Sequence, residues 1–360
     1  ILPGDVPDPS ILREGDTYYL VCTTGCYFPG LLIYQSADLL HWERLCHAVS
    51  GEFGDIWAPD LIRHGGRYYI YFPSKGTNWV VWSDRLDGGW SPPIDLHTTG
   101  LIDPGHIADV ATGQRYLFFN DGYAARLSDD GCSLLEQPRI VHDAWPIPEN
   151  WAIEGRCLES PKLLYRGGYY YLTVAQGGTA GPPTSHMVVS MRSTSLMGGW
   201  ELSPYNPIIH TDSAEERWWS TGHGTLFEGP GGAWYIVYHG YLNGHRNMGR
   251  QVLLKRIQWT ADGWYVAEPF AVSPPEQPDF LDDFSGERLR LDWSFFTDDG
   301  NGRYQVGNGL ILQGKGNGAA DSCPMVINNR FPSYEWTADL EATAGGWGGI
   351  TLYYNPKAYV

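Results

Sequence analysis

The chain has 360 residues, enough for more than one domain, and a formal net charge of −17 at pH 7. A surface this acidic repels phosphate backbones and anionic membrane surfaces, so the composition argues against nucleic-acid and membrane partners. The 45 glycines and 25 prolines favour many short strands and turns over long helices.

Five segments repeat one pattern, in which an acidic or polar residue is followed by a glycine-containing turn and an aromatic-rich strand. They read PDPSILREGDTYYL, APDLIRHGGRYYIYF, DPGHIADVATGQRYLFF, ESPKLLYRGGYYYLTV and GHGTLFEGPGGAWYIVY. Their aromatic positions lie 50, 48, 54 and 64 residues apart, at Tyr18, Tyr68, Tyr116, Tyr170 and Trp234. Repeats of about 40–50 residues built from short strands are typical of propeller blades. We therefore predict an all-β fold with a five-bladed β-propeller over residues 1–267.

A second repeated element keeps phase with the first. After three of the aromatic strands come SADLLHW, SDRLDGGW and STSLMGGW, each with a serine before a leucine and a tryptophan. Strand, turn, strand, loop and strand in each unit fit a four-stranded antiparallel blade. A β-sandwich with chance similarity is the alternative, and the agreement of two separate elements argues against it.

The pattern changes after the fifth unit. Residues 268–280, EPFAVSPPEQPDF, predict a proline-rich linker. Residues 281–360 show alternating strands with glycine-rich turns, which we interpret as the start of a β-sandwich accessory domain. The chain begins without Met and stops inside a strand pattern, so we expect it to belong to a longer protein.

The six cysteines follow no zinc-binding spacing. Cys22 or Cys26 could pair with Cys46, or all six could be free thiols, which leaves the compartment open, with a secreted or periplasmic location favoured over a cytoplasmic one. No stretch approaches 18 apolar residues, so the sequence predicts no transmembrane helix.

The residue ahead of each turn is the candidate for chemistry, because a propeller brings equivalent blade positions together around its axis. Hydrolysis of a glycosidic bond needs one protonated and one ionised carboxyl group, and neighbouring carboxylates raise one another's pKa. Each acid could instead merely cap a turn, an alternative that is strongest for Asp103. Abundant Trp and Tyr also suit sugars, whose C–H faces stack on flat rings. The candidates are Asp8, Asp60, Asp103, Glu159 and His223.

In order along the chain, these motifs resemble glycoside hydrolase family 43 over about residues 1–270. The matching segments are PDPSILREGDTYYLVCTT, IWAPDLIRHGGRYYIYF, CLESPKLLYRGGYYYLTVAQGGT, STGHGTLFEGPGGAWYIVYHG and MGRQVLLKRIQW. The resemblance implies a five-bladed propeller with an inverting glycosidase activity. The FPG segment and the appended β-strands are most similar to the β-xylosidase and α-L-arabinofuranosidase branch.

By this resemblance Asp8 is the general base, Glu159 is the general acid, and Asp60 is a third carboxylate that orients the acid and tunes its pKa. The resemblance further implies that Arg250 bonds sugar hydroxyls and that His223 lies near the axis, where many relatives hold a water-coordinated calcium ion. No other cofactor is implied. Aromatic residues lining the pocket, and a further acidic contact to substrate, are expected at Phe28, Trp57 and Asp103.

Three departures from the family pattern matter. The acid motif reads ESPK, so Lys162 adds a positive charge near Glu159. Glu154, five residues upstream with its own EG pair, is a rival for the acid role. Gln176 stands where many relatives have Glu.

The sequence thus predicts an exo-acting inverting glycosidase that removes terminal β-xylosyl or α-L-arabinofuranosyl residues from oligo- or polysaccharides. A galactofuranoside or β-galactoside substrate is one alternative. A catalytically inactive carbohydrate-binding propeller is the other.

Overall fold

The structure is a computed structural model that describes residues 1–269, 279–342 and 348–360. Most of the linker predicted at 268–280 lies outside the described residues, so its boundaries stay a prediction. Strands dominate the described residues, and the only helices among them are three short 3-10 turns, at Asn120–Gly122, Pro230–Gly232 and Arg246–Met248. Among these residues no helix has the length and apolar character needed to cross a membrane.

The first three repeats form three antiparallel four-stranded sheets, ordered β1-β2-β4-β5, β6-β7-β8-β9 and β10-β11-β12-β13. Their strands are β1 (Ser10–Glu14), β2 (Thr17–Val21), β3 (Tyr27–Phe28), β4 (Gly30–Ser36), β5 (Glu43–Val49), β6 (Asp60–His64), β7 (Arg67–Ser74), β8 (Thr77–Ser83), β9 (Ile94–Asp95), β10 (Gly105–Ala108), β11 (Arg115–Phe118), β12 (Tyr123–Leu127) and β13 (Arg139–Ile140).

The last two repeats form the sheets β14-β15-β16-β17, in which β18 also pairs with β16, and β19-β20-β21-β22. Their strands are β14 (Glu159–Arg166), β15 (Tyr169–Gln176), β16 (Met187–Ser193), β17 (Glu201–Leu202), β18 (Ile209–His210), β19 (Trp218–Glu228), β20 (Trp234–Leu242), β21 (Arg250–Trp259) and β22 (Tyr265–Ala267).

The first strand of each sheet lies at the axis. Strand β1 contacts β6 and β19, β10 contacts β6 and β14, and β14 contacts β19, so the five first strands close a ring. The predicted five-bladed propeller is confirmed. Hydrophobic clusters fill the space between neighbouring blades, including the join of the first blade to the fifth.

Both repeated sequence elements have a structural cause. The turn glycine after the first strand adopts the left-handed region, with φ of 61° at Gly15 and 59° at Gly167, where a β-carbon is disfavoured. The serine of the second element closes the loop after the third strand. Its hydroxyl donates to a glycine carbonyl five residues on, from Ser83 to Gly88 and from Ser193 to Gly198, each at 2.7 Å.

The N-terminal segment closes the ring. Leu2 forms a β-bridge with Val252 on β21, and the Ile1 amino group donates to the Val252 carbonyl at 2.8 Å. Because β21 belongs to the fifth blade, residues 1–8 connect the last blade to the first. This closure brings Asp8 close to the start of β21.

The described residues after 278 are also all-β. Their strands are β23 (Trp293–Phe296), β24 (Tyr304–Val306), β25 (Leu310–Leu312), β26 (Met325–Ile327), β27 (Tyr353–Asn355) and β28 (Ala358–Tyr359). Strand β23 pairs with both β26 and β3, so this region docks on the propeller through main-chain hydrogen bonds. The division at residue 281 and the β-sandwich stay predictions. All six cysteines are free thiols.

Candidate active site

A ring of residues with strained backbone surrounds the propeller axis. In each of the first four blades the residue before a proline has a positive φ, and in the fifth blade the residue before Gly224 does. We call these residues the first ring, and they are Asp8 (60°), Ala58 (25°), Asp103 (54°), Ser160 (57°) and His223 (56°). Positive φ in residues other than glycine is costly, and it concentrates at functional sites.

The residues two positions further along begin the next layer down the axis. We call them the second ring, which consists of Ser10, Asp60, Gly105, Lys162 and Thr225. Four of the five line one axial cavity of about 280 Å³, together with His64 and His106. The first ring carries the two carboxylates Asp8 and Asp103, whereas the second ring holds an ion pair.

The repeats suggest that all four acids occupy the same position in their blades, but in the structure Asp60 and Glu159 do not. Asp8 and Asp103 precede their proline, but Asp60 follows Pro59, so Asp60 belongs to the second ring. Glu159 lies one residue before Ser160 of the first ring. The position of each acid relative to its proline therefore decides which layer it enters.

Asp8 is 6% exposed and is surrounded by donors. Its Oδ1 accepts a hydrogen bond from Arg250 Nη1 at 2.9 Å and lies 3.3 Å from His223 Nδ1. Its Oδ2 accepts the Thr23 hydroxyl at 2.6 Å, and its backbone N–H donates to His239 Nδ1 at 3.0 Å. Burial opposes ionisation, but the positive charge of Arg250, followed by the interactions with His223 and His239, outweighs it and holds the pKa of Asp8 well below its usual range.

Glu159 and Asp103 have the opposite tendency. Burial, followed by the charges of Asp103 and Asp8, raises the pKa of Glu159 well above its usual range. Burial and the charge of Asp8 likewise raise the pKa of Asp103, whose Oδ2 accepts the Ser160 backbone N–H at 3.1 Å. The site therefore joins one carboxylate that stays ionised to a pair of carboxyl groups that retains a proton.

Glu154, the rival for the acid role, lies elsewhere. It is exposed, and its Oε2 accepts the Ala180 backbone N–H at 2.6 Å. Its carboxylate thus orders the 177–183 loop, whereas Glu159 begins β14 beside Asp103.

Asp60 forms a buried ion pair with Lys162. Lys162 Nζ donates to Asp60 Oδ1 and to the Pro59 carbonyl, each at 2.9 Å, and both side chains are about 5% exposed. The backbone N–H of His106 donates to Asp60 Oδ2 at 2.7 Å. The positive charge that the sequence adds near Glu159 therefore neutralises Asp60.

The remaining predicted site residues divide into two groups. Arg250 contacts Asp8 directly, and Trp57, next to Ala58 of the first ring, is 44% exposed and offers a ring for stacking. Phe28 is 1% exposed and belongs to the core between the first two blades, where β3 pairs with β23. Its ring therefore presents almost no surface to a ligand in this arrangement.

His223 lies in the one group of potential metal ligands found among the described residues, with Asp8 and His239. Their donor atoms lie within 4.8 Å of one another. Calcium prefers six to eight oxygen ligands, whereas two imidazoles and one carboxylate suit zinc or copper better. Because Asp8 is also committed to Arg250, this donor set does not fit a calcium ion, and the chemistry below uses no metal.

Sequence reasoning missed two histidines next to the site. His239 lies on β20, where it pairs with Gly222, and His186 comes just before β16. Both side chains are fully buried, and their rings stack with centroids 5.2 Å apart. Neither histidine occupies a repeated position, so only the packing of blades four and five could reveal them.

Two carboxyl groups with pKa values shifted in opposite directions, at the axis of a five-bladed propeller, form the arrangement that a glycoside hydrolase requires. Residues 1–265 match the glycosyl hydrolases family 43, and the chain belongs to that family.

Relatives and solved structures agree with this placement. A non-reducing end α-L-arabinofuranosidase of Bacteroides ovatus is 30% identical over 95% of this chain, and a xylan 1,3-β-xylosidase of a Vibrio species is 30% identical over 74% of it. The crystal structure of the GH43 protein BlXynB from Bacillus licheniformis is 28% identical and superposes over 92% of this chain with a TM-score of 0.80. The chain spans 69% of the Bacteroides relative, 56% of the Vibrio relative and 71% of BlXynB.

The Lys162–Asp60 pair generates a stability prediction. Lys162→Met leaves Asp60 buried without its partner, and we expect a loss of about 3–5 kcal/mol in the free energy of unfolding. The double variant Lys162→Met/Asp60→Leu removes both charges and should recover most of that loss. Urea unfolding of the wild type, the two single variants and the double variant measures the coupling. Additive losses would show that the pair contributes little.

Proposed function

We propose that this protein is an exo-acting inverting glycosidase that releases a terminal pentose, β-xylosyl or α-L-arabinofuranosyl, from oligo- or polysaccharides. The observation that carries the proposal is that one site holds two carboxyl groups with opposite tendencies, since the pKa of the buried Asp8 is lowered and that of the partly buried Glu159 is raised. A propeller that only binds sugar does not need one carboxyl group that stays ionised beside another that keeps its proton.

In the proposed reaction the Asp8 carboxylate takes a proton from a water molecule as the water oxygen attacks the anomeric carbon. Glu159 gives its proton to the glycosidic oxygen as the bond from the anomeric carbon to that oxygen breaks. The free sugar leaves with inverted configuration. Arg250 keeps Asp8 ionised and would bond the sugar hydroxyls.

We assign the third carboxylate role to Asp103 rather than to Asp60. Asp103 accepts the backbone N–H of Ser160, the residue after Glu159. After burial, the charge of Asp103 contributes most to the raised pKa of Glu159. Asp60 is neutralised by Lys162 in the second ring. Asp60 then supports the floor of the site.

The choice of a terminal pentose rests on the relatives. The names of the Bacteroides and Vibrio relatives specify an α-L-arabinofuranosidase acting at the non-reducing end and a β-xylosidase.

The first test is a panel of aryl pentosides and hexosides. We expect turnover of an aryl β-xyloside or α-L-arabinofuranoside, and a loss of about 10²–10⁴-fold in kcat/KM for Asp8→Asn, because the base is removed. Glu159→Gln should lose as much on phenyl leaving groups and far less on dinitrophenyl ones, which depart without a proton. Turnover of hexosides alone would reassign the sugar, and binding without any turnover would support an inactive propeller.

The assignment of Asp103 predicts a pH effect. Activity needs Asp8 ionised and Glu159 protonated, so kcat/KM falls at high pH as Glu159 loses its proton. Asp103→Asn removes a negative charge that raises the pKa of Glu159, and the alkaline limb should move to lower pH by about one unit. Asp60→Asn should leave that limb in place while lowering stability. If the alkaline limb shifts in Asp60→Asn but not in Asp103→Asn, then Asp60, and not Asp103, is the carboxylate that tunes the pKa of Glu159.

A further inference from the structure

His186 lies directly behind the proposed acid. Its side chain is 0% exposed, and its Nδ1 is 4.0 Å from Glu159 Oε1. Neither ring nitrogen has a hydrogen-bond partner among the residues that the structure describes. Leaving a buried polar group unpaired is unfavourable, so a ring in this position needs a partner.

The imidazole is held in place from two sides. A β-carbon on Gly222 would lie 1.8 Å from the His186 ring, so only glycine leaves room for it there. On another side the ring stacks on His239 at an interplanar angle of 13°. The Glu159 side chain is 23% exposed, so it is less closely packed than the His186 ring.

His186 is a neutral ring with one N–H. Burial lowers its pKa well below the usual value, and the neighbouring His239 and His223 lower it further. A neutral imidazole has one donor and one acceptor nitrogen. Glu159 Oε1 is the one carboxylate oxygen found within 4.0 Å of a His186 nitrogen among the described residues.

We propose that His186 is a positioning residue for Glu159, whose ring N–H donates to the carboxylate that remains after the proton has passed to the leaving oxygen. The movement required is about 1 Å, and catalytic hydrogen bonds often tighten by such amounts when substrate binds. The bond fixes the direction of the acid and stabilises its charged form. This inference rests on the glycosidase activity proposed above.

The test compares His186→Leu, which removes the donor, with His186→Asn, which keeps one on a shorter side chain. His47→Leu is the matched control, because His47 is a partly buried histidine on β5, the outer strand of the first blade, away from the site. Each variant is assayed on aryl pentosides with leaving groups from dinitrophenol to phenol. Thermal unfolding of each variant is measured in parallel.

We expect His186→Leu to lower kcat/KM about 10- to 100-fold on phenyl pentosides and less than about threefold on dinitrophenyl ones, as befits a hydrogen bond to a charged group. His186→Asn should recover most of the loss, and His47→Leu should show no dependence on leaving group. In a Glu159→Gln background, His186→Leu should have little further effect.

The positioning role would be overturned if His186→Leu lowered kcat/KM equally for all leaving groups. It would also be overturned if His186→Leu caused its full loss of kcat/KM in the Glu159→Gln background. In either case His186 would serve packing alone. If His186→Leu does not fold, His186→Phe, which keeps a flat ring against His239 but has no donor, takes its place and must show the leaving-group dependence. A wild type with no turnover would refute the proposed function instead, so the two failures are distinct.

Discussion

The buried ion pair between Asp8 and Arg250 is the interaction on which the site depends. Asp8 is 6% exposed, and its carboxylate meets the Arg250 guanidinium at 2.9 Å. Removing one partner of such a pair costs about 3–5 kcal/mol, because the other charge stays buried. The same segment closes the propeller: the Arg250 backbone N–H donates to Asp5 Oδ1, and the Val6 N–H donates to the Arg250 carbonyl. The residues that close the ring therefore also assemble the charged centre.

The two layers of polar residues along the axis have different roles. In the first ring, Asp8 and Asp103 lie close to Glu159, and burial together with their negative charges raises the pKa of Glu159 so that it keeps its proton. In the second ring, Lys162 cancels the charge of Asp60. If Asp60 were unpaired, a further negative charge would lie beneath the site. The residues of the first ring have positive φ, and the packing between blades compensates the cost of that strained backbone.

The fold and many of the site residues could be predicted from the sequence. Aromatic strands about 50 residues apart, each after a turn glycine, were enough to predict five blades, because each blade repeats the same hairpin. The sequence could also nominate Asp8, Glu159 and Arg250 through their motifs. It could not assign Asp60 to the second ring, because an acid enters the first or the second ring according to whether it precedes or follows its proline. It could not find His186 and His239, since their proximity to the acids arises only when blades four and five pack together.

The stereochemistry of the first-formed product tests the central claim most directly. If Asp8 activates a water molecule for direct displacement, proton NMR of the reaction with an aryl pentoside should show the free sugar appearing first in the anomeric configuration opposite to that of the substrate. Mutarotation should then produce the other anomer more slowly. A product that first appears with retained configuration would mean a covalent intermediate, and it would contradict the assignment of Asp8 as a general base.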